Sequence, residues 1–520
     1  MEKQELFVRK ASGLVRNISA WDALIFNVIV MGPGAVYLYG MWASGLFPGV
    51  DLTLTAWVAA PVCMIIGLFY ALFSVIMPRS GGDYVWATRI LHPSIGFSMV
   101  FFIFIVLMAF VGMEIPWAVQ WGLAPFLSYL GYESLANLLN NNYVMMGLGL
   151  VYYAVCAVIT VRGARAFVKA VWASFILIII GIITYVIALL PMNPSTFASI
   201  FNSSTGMNYQ DVISKAIADG HPTGFVFSAT MLGIVYTILN FTGFNLSVYI
   251  AGEVKEVRKA QFIAIAGGIL VFTLITWIIY VVTYKAMGAQ FVGAISYLAV
   301  QGSPDYTLPF APAFHLLAMA VLENKLLSAI IVLTWAIVPL ACGLTYIFTA
   351  VRLIFAWSFD RVLPQVFSKV DERYNSPYVA LIFITILSIV FEALWLFTPI
   401  LSYVAYVVTG WSIEIAVVSI AGAILPYVKK DLFEASPSIV KRKVLGLPLI
   451  TLLGMLSFFA SVYIAYASLT PAIAGTLNET YIIFTFGIFV LGFIIYLISS
   501  VYHRMKGIPL ELTFKEIPPE

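Results

Sequence analysis

The sequence predicts an all-α integral membrane bundle of about twelve transmembrane helices, built as two inverted five-helix units plus two further helices. Three observations predict it. The 520 residues are 62% hydrophobic and only 10% charged, too little charge to cover a soluble surface of this size. Apolar runs of about 20 residues, the length that crosses a hydrocarbon core, recur along the chain. Two of these runs are interrupted mid-way, at corresponding places in two halves, a pattern that points to the substrate site of a secondary transporter.

The elements follow in order. Residues 1–19 form a polar N-terminal segment, charged through Arg16 and without a cleavage pattern, so no cleavable leader is expected. Spans at 20–46, 54–77, 94–120, 143–161 and 167–190 make the first unit, 20–190. Spans at 224–250, 261–286, 326–353, 378–397 and 400–425 make the second, 224–425. Five is odd, so the second unit starts on the opposite side and is inverted relative to the first. Two additional spans, 447–469 and 480–502, occupy 447–502, and 503–520 is a tail.

Charge fixes the orientation. Of the 27 Lys and Arg, all but Lys215, Lys285 and Lys325 fall on the side that carries both termini. Positive loops stay inside, so both termini are expected in the cytoplasm and the protein in the plasma membrane. Arg352, Arg361 and Lys369 are read as determinants of this topology. The net charge of +3 therefore reflects topology, and no nucleic-acid partner is expected beside the lipid bilayer.

The longest loops, Pro191–Pro222 and Met287–Lys325, are too short for a conventional enzymatic domain. No His-Glu-x-x-His or Gly-x-Ser-x-Gly pattern is present, so the chain is not expected to be an enzyme, and no cofactor is expected. Cys63, Cys156 and Cys342 lie in apolar spans without metal-ligand spacing and read as packing residues. One chain with inverted halves suits alternating access better than a channel with a repeated filter.

The first break is Gly32-Pro33-Gly34. The outer half-helix begins just beyond it, so the amides of Gly34 and Ala35 would face a carboxylate. The inner half ends near Ile29 to Met31, and its carbonyls would face an ammonium. The second break lies at Thr242-Gly243, with carbonyls near Asn240 and Phe241. Amides on one side and carbonyls on the other fit a zwitterion. Phe241 and Phe244 are candidate gates, and Asn245 a polar neighbour.

Three acids lie within spans, where ionisable groups are costly and mark functional positions. Glu114 in the outer half of span 3 could contact a cationic substrate group or carry a proton, Glu414 in span 10 is a second coupling candidate, and Glu392 is expected to be solvated near the outer interface. Tyr346 in span 8 could line the pocket. Thr345 and Thr349, with carbonyls near Ile29, are sodium-ligand candidates. Proton and sodium both stay open as coupling ions. His92 reads as a loop residue.

Three stretches resemble the amino acid–polyamine–organocation family of permeases. They are Met77-Pro-Arg-Ser-Gly-Gly-Asp-Tyr84 with His92-Pro-Ser-Ile-Gly-Phe97, Gly243-Phe244 with Ala251-Gly-Glu-Val-Lys255, and Arg352 to Pro364 followed by Pro377. The resemblance implies a leucine-transporter-type five-plus-five fold. It also implies an amino acid or related amine as substrate, recognised through the unwound backbone of helices 1 and 6. It leaves open a transporter, an amino acid/polyamine exchanger or a transporter-like sensor. The chain departs from the family at Gly32-Pro33-Gly34, where Gly-Ser-Gly is frequent, and at Asn245, where many exchangers carry an acid. Lys169 is the only lysine of span 5, near its cytoplasmic end, and Glu256-Val257 replaces an Asn-Pro.

Overall fold

The computed structural model describes residues 14–400, 407–470, 479–507 and 510–515. Eleven of its helices are long and apolar enough to cross a membrane. Span 2 is Leu52–Ile76, span 3 Pro93–Tyr129, span 4 Asn142–Val161 and span 5 Ala164–Leu189. Span 6 is Phe227–Glu253, span 7 Val257–Met287, span 8 Lys325–Phe359 and span 9 Tyr378–Phe397. Span 10 is Val407–Val428, span 11 Leu449–Ser468 and span 12 Ile483–Met505. Span 1 supplies the twelfth crossing in two pieces, Ala20–Val30 and Val36–Leu46.

Local chemistry sets the helix starts. Ser19 and Asp22 form a reciprocal capping box at span 1, with the Ser19 amide donating to the Asp22 carboxylate at 2.8 Å. Asp51 caps span 2 through the Thr53 amide at 2.8 Å, and Asn324 caps span 8. Span 3 starts on Pro93, whose missing N–H costs nothing at a first turn. Each polar cap contributes about 1 kcal/mol.

Several elements differ from the sequence expectation. Span 3 continues past 120 through a π-turn, Val119–Leu123, shortly after Pro116. A π-turn shifts the hydrogen-bond ladder, and the Trp121 carbonyl within it accepts from His315 at 2.7 Å. A short, wholly buried helix, Asp83–Ile90, lies between spans 2 and 3. The two long loops fold into helices, Pro194–Thr205 and Tyr209–Ala218 in the first, Ala289–Val300 and Phe314–Val321 in the second. The expected start of span 10 falls largely at 401–406, outside the described residues.

Spans 3 and 6 are innermost, with 83% and 78% of their most apolar stretches buried against 22% for span 12. Span 8 packs on spans 3 and 5, and the Ala20–Val30 piece of span 1 on spans 5, 7 and 8. Span 11 lies against spans 10 and 2, and span 12 against span 3, so the last two helices sit outside the centre.

The face carrying the termini is tied by backbone and charge. The Ile18 amide donates to the Glu253 carbonyl at 3.0 Å, and the Lys255 amide to Ile18 at 2.8 Å. Arg352 pairs with Glu253 and Arg89 with Asp360, each at 2.7 Å, and all four side chains are buried. Arg352 is wholly buried: burial demands a hydrogen-bonded partner, and Glu253 of span 6 supplies one. Glu392 is likewise buried rather than solvated. Span 4 crosses span 9, and its Gly149 leaves the room into which the Glu392 carboxyl packs.

Candidate substrate site at the two helix breaks

The helix of span 1 ends at Val30, and Gly32 then takes φ +66°. In span 6 the helix ends at Phe241, and Gly243 takes φ +97°. Both are left-handed conformations that glycine adopts without a Cβ penalty. The breaks touch: a Cβ on Gly243 would collide with Val30.

Several backbone groups freed by the first break have protein partners. The Tyr346 hydroxyl donates to the Val30 carbonyl at 3.1 Å, and the Cys342 thiol to Ile29 at 3.0 Å. The Asn240 amide donates to Met31 at 2.5 Å and to Gly32 at 3.3 Å. The Gly32 amide bonds Ile29, and the Ala35 amide bonds Gly32 at 2.8 Å. Of the two expected anion-facing amides, Ala35's is thus already engaged.

Three cavities lie in series along the breaks. The middle one, about 40 Å³, is bordered by Gly32, Ala35, Glu114, Asn240, Thr242 and Tyr346, among others. A larger aromatic chamber, about 460 Å³, lies on the side away from the termini and includes Tyr39, Trp42, Trp117, Tyr236 and Trp395. A third, about 40 Å³, lies toward the terminus-bearing side and includes Asn245, Tyr249 and Trp411. Phe110 borders all three.

The structure brings many of the expected residues together. Met31, Gly32, Ala35, Asn240, Glu114 and Tyr346 border the middle cavity, and Gly243 and Asn245 the inner one. Ile29 takes part through its carbonyl alone. Gly34 faces span 8, where a Cβ would lie 2.6 Å from Val338. Phe241 packs on Phe272 of span 7, and Phe244 on Trp411 of span 10; neither borders the middle cavity. Thr345 and Thr349 donate to carbonyls of their own helix, Cys342 and Thr345, at 2.6 and 2.9 Å. Glu414 lies away from the cavity, beside Tyr70.

The sequence reading missed the aromatic wall. Phe110, Met113, Glu114 and Trp117 all border the middle cavity, and their spacing of three and four puts them on one face of span 3. That periodicity around Glu114 was the available signal. Cys342, read as mere packing, borders the same cavity.

A twelve-span bundle enclosing a cavity between two broken helices is the architecture of a membrane transporter. The family model described as amino acid permease matches residues 19–494, and the chain belongs to that family: it is an amino acid transporter of the amino acid–polyamine–organocation type, not an enzyme. The chain is similar to the glutamate/serine transporter AimA of Bacillus subtilis (strain 168), 24% identical over 404 residues, 76% of this chain and 67% of the relative. It is also similar to the aspartate-proton symporter of the same organism, 23% identical over 513 residues, 94% of this chain and 86% of the relative.

Proposed function

We propose that the chain is a secondary active transporter that moves amino acids by alternating access, with both termini in the cytoplasm and the substrate held across the breaks of spans 1 and 6. The observation that carries this reading is Asn240: a side chain from one break holds two carbonyls of the other, on the wall of a cavity that also contains a buried carboxyl, Glu114.

The chemistry is an exchange of partners. A substrate ammonium takes over the Met31 and Val30 carbonyls. The displaced Asn240 amide and Tyr346 hydroxyl are then free to donate to the substrate carboxylate. Glu114 faces a cationic or hydrogen-bonding group of the substrate, and the aromatic wall of Phe110 and Trp117 packs on its apolar part. Because donors are exchanged rather than lost, the cost of opening the site stays small relative to leaving a buried group unpaired, about 1–3 kcal/mol each.

Purified protein in liposomes should take up a labelled L-amino-acid mixture saturably and show counterflow against internal amino acid. Glu114→Gln should alter which amino acids compete. Folded protein without uptake or counterflow would refute the reading.

A further inference from the structure

Asp83 and Glu414 meet on the terminus-bearing side of the breaks, and neither reaches solvent. Asp83 opens the short helix after span 2, and Glu414 comes from span 10, which packs on that helix. Tyr249, at the inner end of span 6, donates to Asp83 Oδ2 at 2.9 Å. Tyr70 of span 2 lies 3.2 Å from the same oxygen and 3.3 Å from Glu414 Oε1. The other Asp83 oxygen, Oδ1, is buried, and the Tyr70 hydroxyl sits between the two carboxyls, within reach of an oxygen on each.

Two carboxylates so placed repel, and a single proton between them converts repulsion into a hydrogen bond. The titratable side chains facing the pair are Tyr70 and Tyr249. The buried cations of this face, Arg89 and Arg352, are committed to Asp360 and Glu253. A separate observation links the pair to the substrate site. Tyr249 borders the inner cavity, and so does Asn245, whose buried Oδ1 has no protein donor. A polar atom without a partner beside about 40 Å³ of space is a site for ordered water.

We propose that Asp83 and Glu414 form a proton-binding site that carries the coupling ion, an inference that rests on the transport reading above. A proton arriving along Asn245 and Tyr249 bonds to one carboxylate oxygen of the pair. When the short helix and span 10 part on the terminus side, the carboxyls separate and the proton passes to water there. Tyr70 then donates to Glu414 while Tyr249 donates to Asp83, so each anion keeps a donor as the empty carrier resets. With a zwitterionic substrate, one positive charge crosses per cycle.

The test has two arms. Full-length protein in lipid nanodiscs should give a carboxylic-acid carbonyl band in the infrared that Glu414→Gln and Asp83→Asn each remove. In liposomes with a labelled L-amino-acid mixture, an inward proton gradient should accelerate wild-type uptake. Glu414→Gln should lose that acceleration and keep counterflow, which also certifies its fold, and Tyr70→Phe should weaken the acceleration without abolishing counterflow. An unchanged band in both variants, or gradient-driven uptake retained by Glu414→Gln, overturns the proposal. If the wild type lacks counterflow but the band behaves as expected, the transport reading fails and the proton site stands.

Discussion

Asn240 of span 6 reaches across to the Met31 carbonyl of span 1 at 2.5 Å, so the second broken helix completes the hydrogen bonding of the first. Asn240→Leu leaves the buried Met31 carbonyl without its side-chain donor, at about 1–3 kcal/mol for an unmet group, while the Gly32 carbonyl keeps the Ala35 amide. The variant should lose most counterflow while folding with a modestly lowered Tm. Normal counterflow would show that the bond has no part in transport.

Gly34→Val should act on helix packing. Its Cβ would meet Val338 at 2.6 Å, and overpacking of this kind costs about 1–3 kcal/mol. Transport and thermal stability should fall together, and Val338→Ala in the same protein should restore both. Recovery of stability without recovery of transport would instead mean that Gly34 is needed by the substrate.

Glu253→Gln breaks the buried pair with Arg352 and leaves a charge without a counter-charge, at a cost of about 3–5 kcal/mol. Little folded protein should be recovered by size-exclusion chromatography. Adding Arg352→Met should restore part of the yield, because the orphaned charge is then gone. Equal yields for the single and double variants would contradict this account.

Cys342 lines the middle cavity and bonds the Ile29 carbonyl. A small thiol reagent should reach it slowly, and a transported amino acid should protect it. Cys63→Ala/Cys156→Ala protein, read by mass spectrometry, isolates the signal. Labelling that substrate leaves unchanged would place Cys342 outside the binding path.

The two breaks were legible because glycine and proline act locally: Gly32-Pro33-Gly34 and Gly243 disrupt a helix wherever it is packed. Which way neighbouring side chains point was not. Phe241 turns to Phe272 and Phe244 to Trp411, a choice made by the rotation of span 6 against spans 7 and 10. The face of span 3 around Glu114 was readable from its helical spacing. The meeting of Asp83 with Glu414, and of Arg352 with Glu253, was not, since each joins distant segments that only the assembled bundle brings together. Glu392 appeared to belong near water because its position along span 9 was visible while the covering span 4 was not.

Phe110 and Tyr346 stack with ring centroids 5.6 Å apart, and both border the middle and the inner cavities. One pair of rings thus serves as a party wall between two compartments. A party wall cannot withdraw from both rooms at once: a shift that widens one takes space from the other. On the transport reading proposed above, the aromatic surfaces that hold the cargo also bar small ions, so a variant that thins this wall, such as Phe110→Ala, should turn a carrier into a leak, measured as ion flux in liposomes.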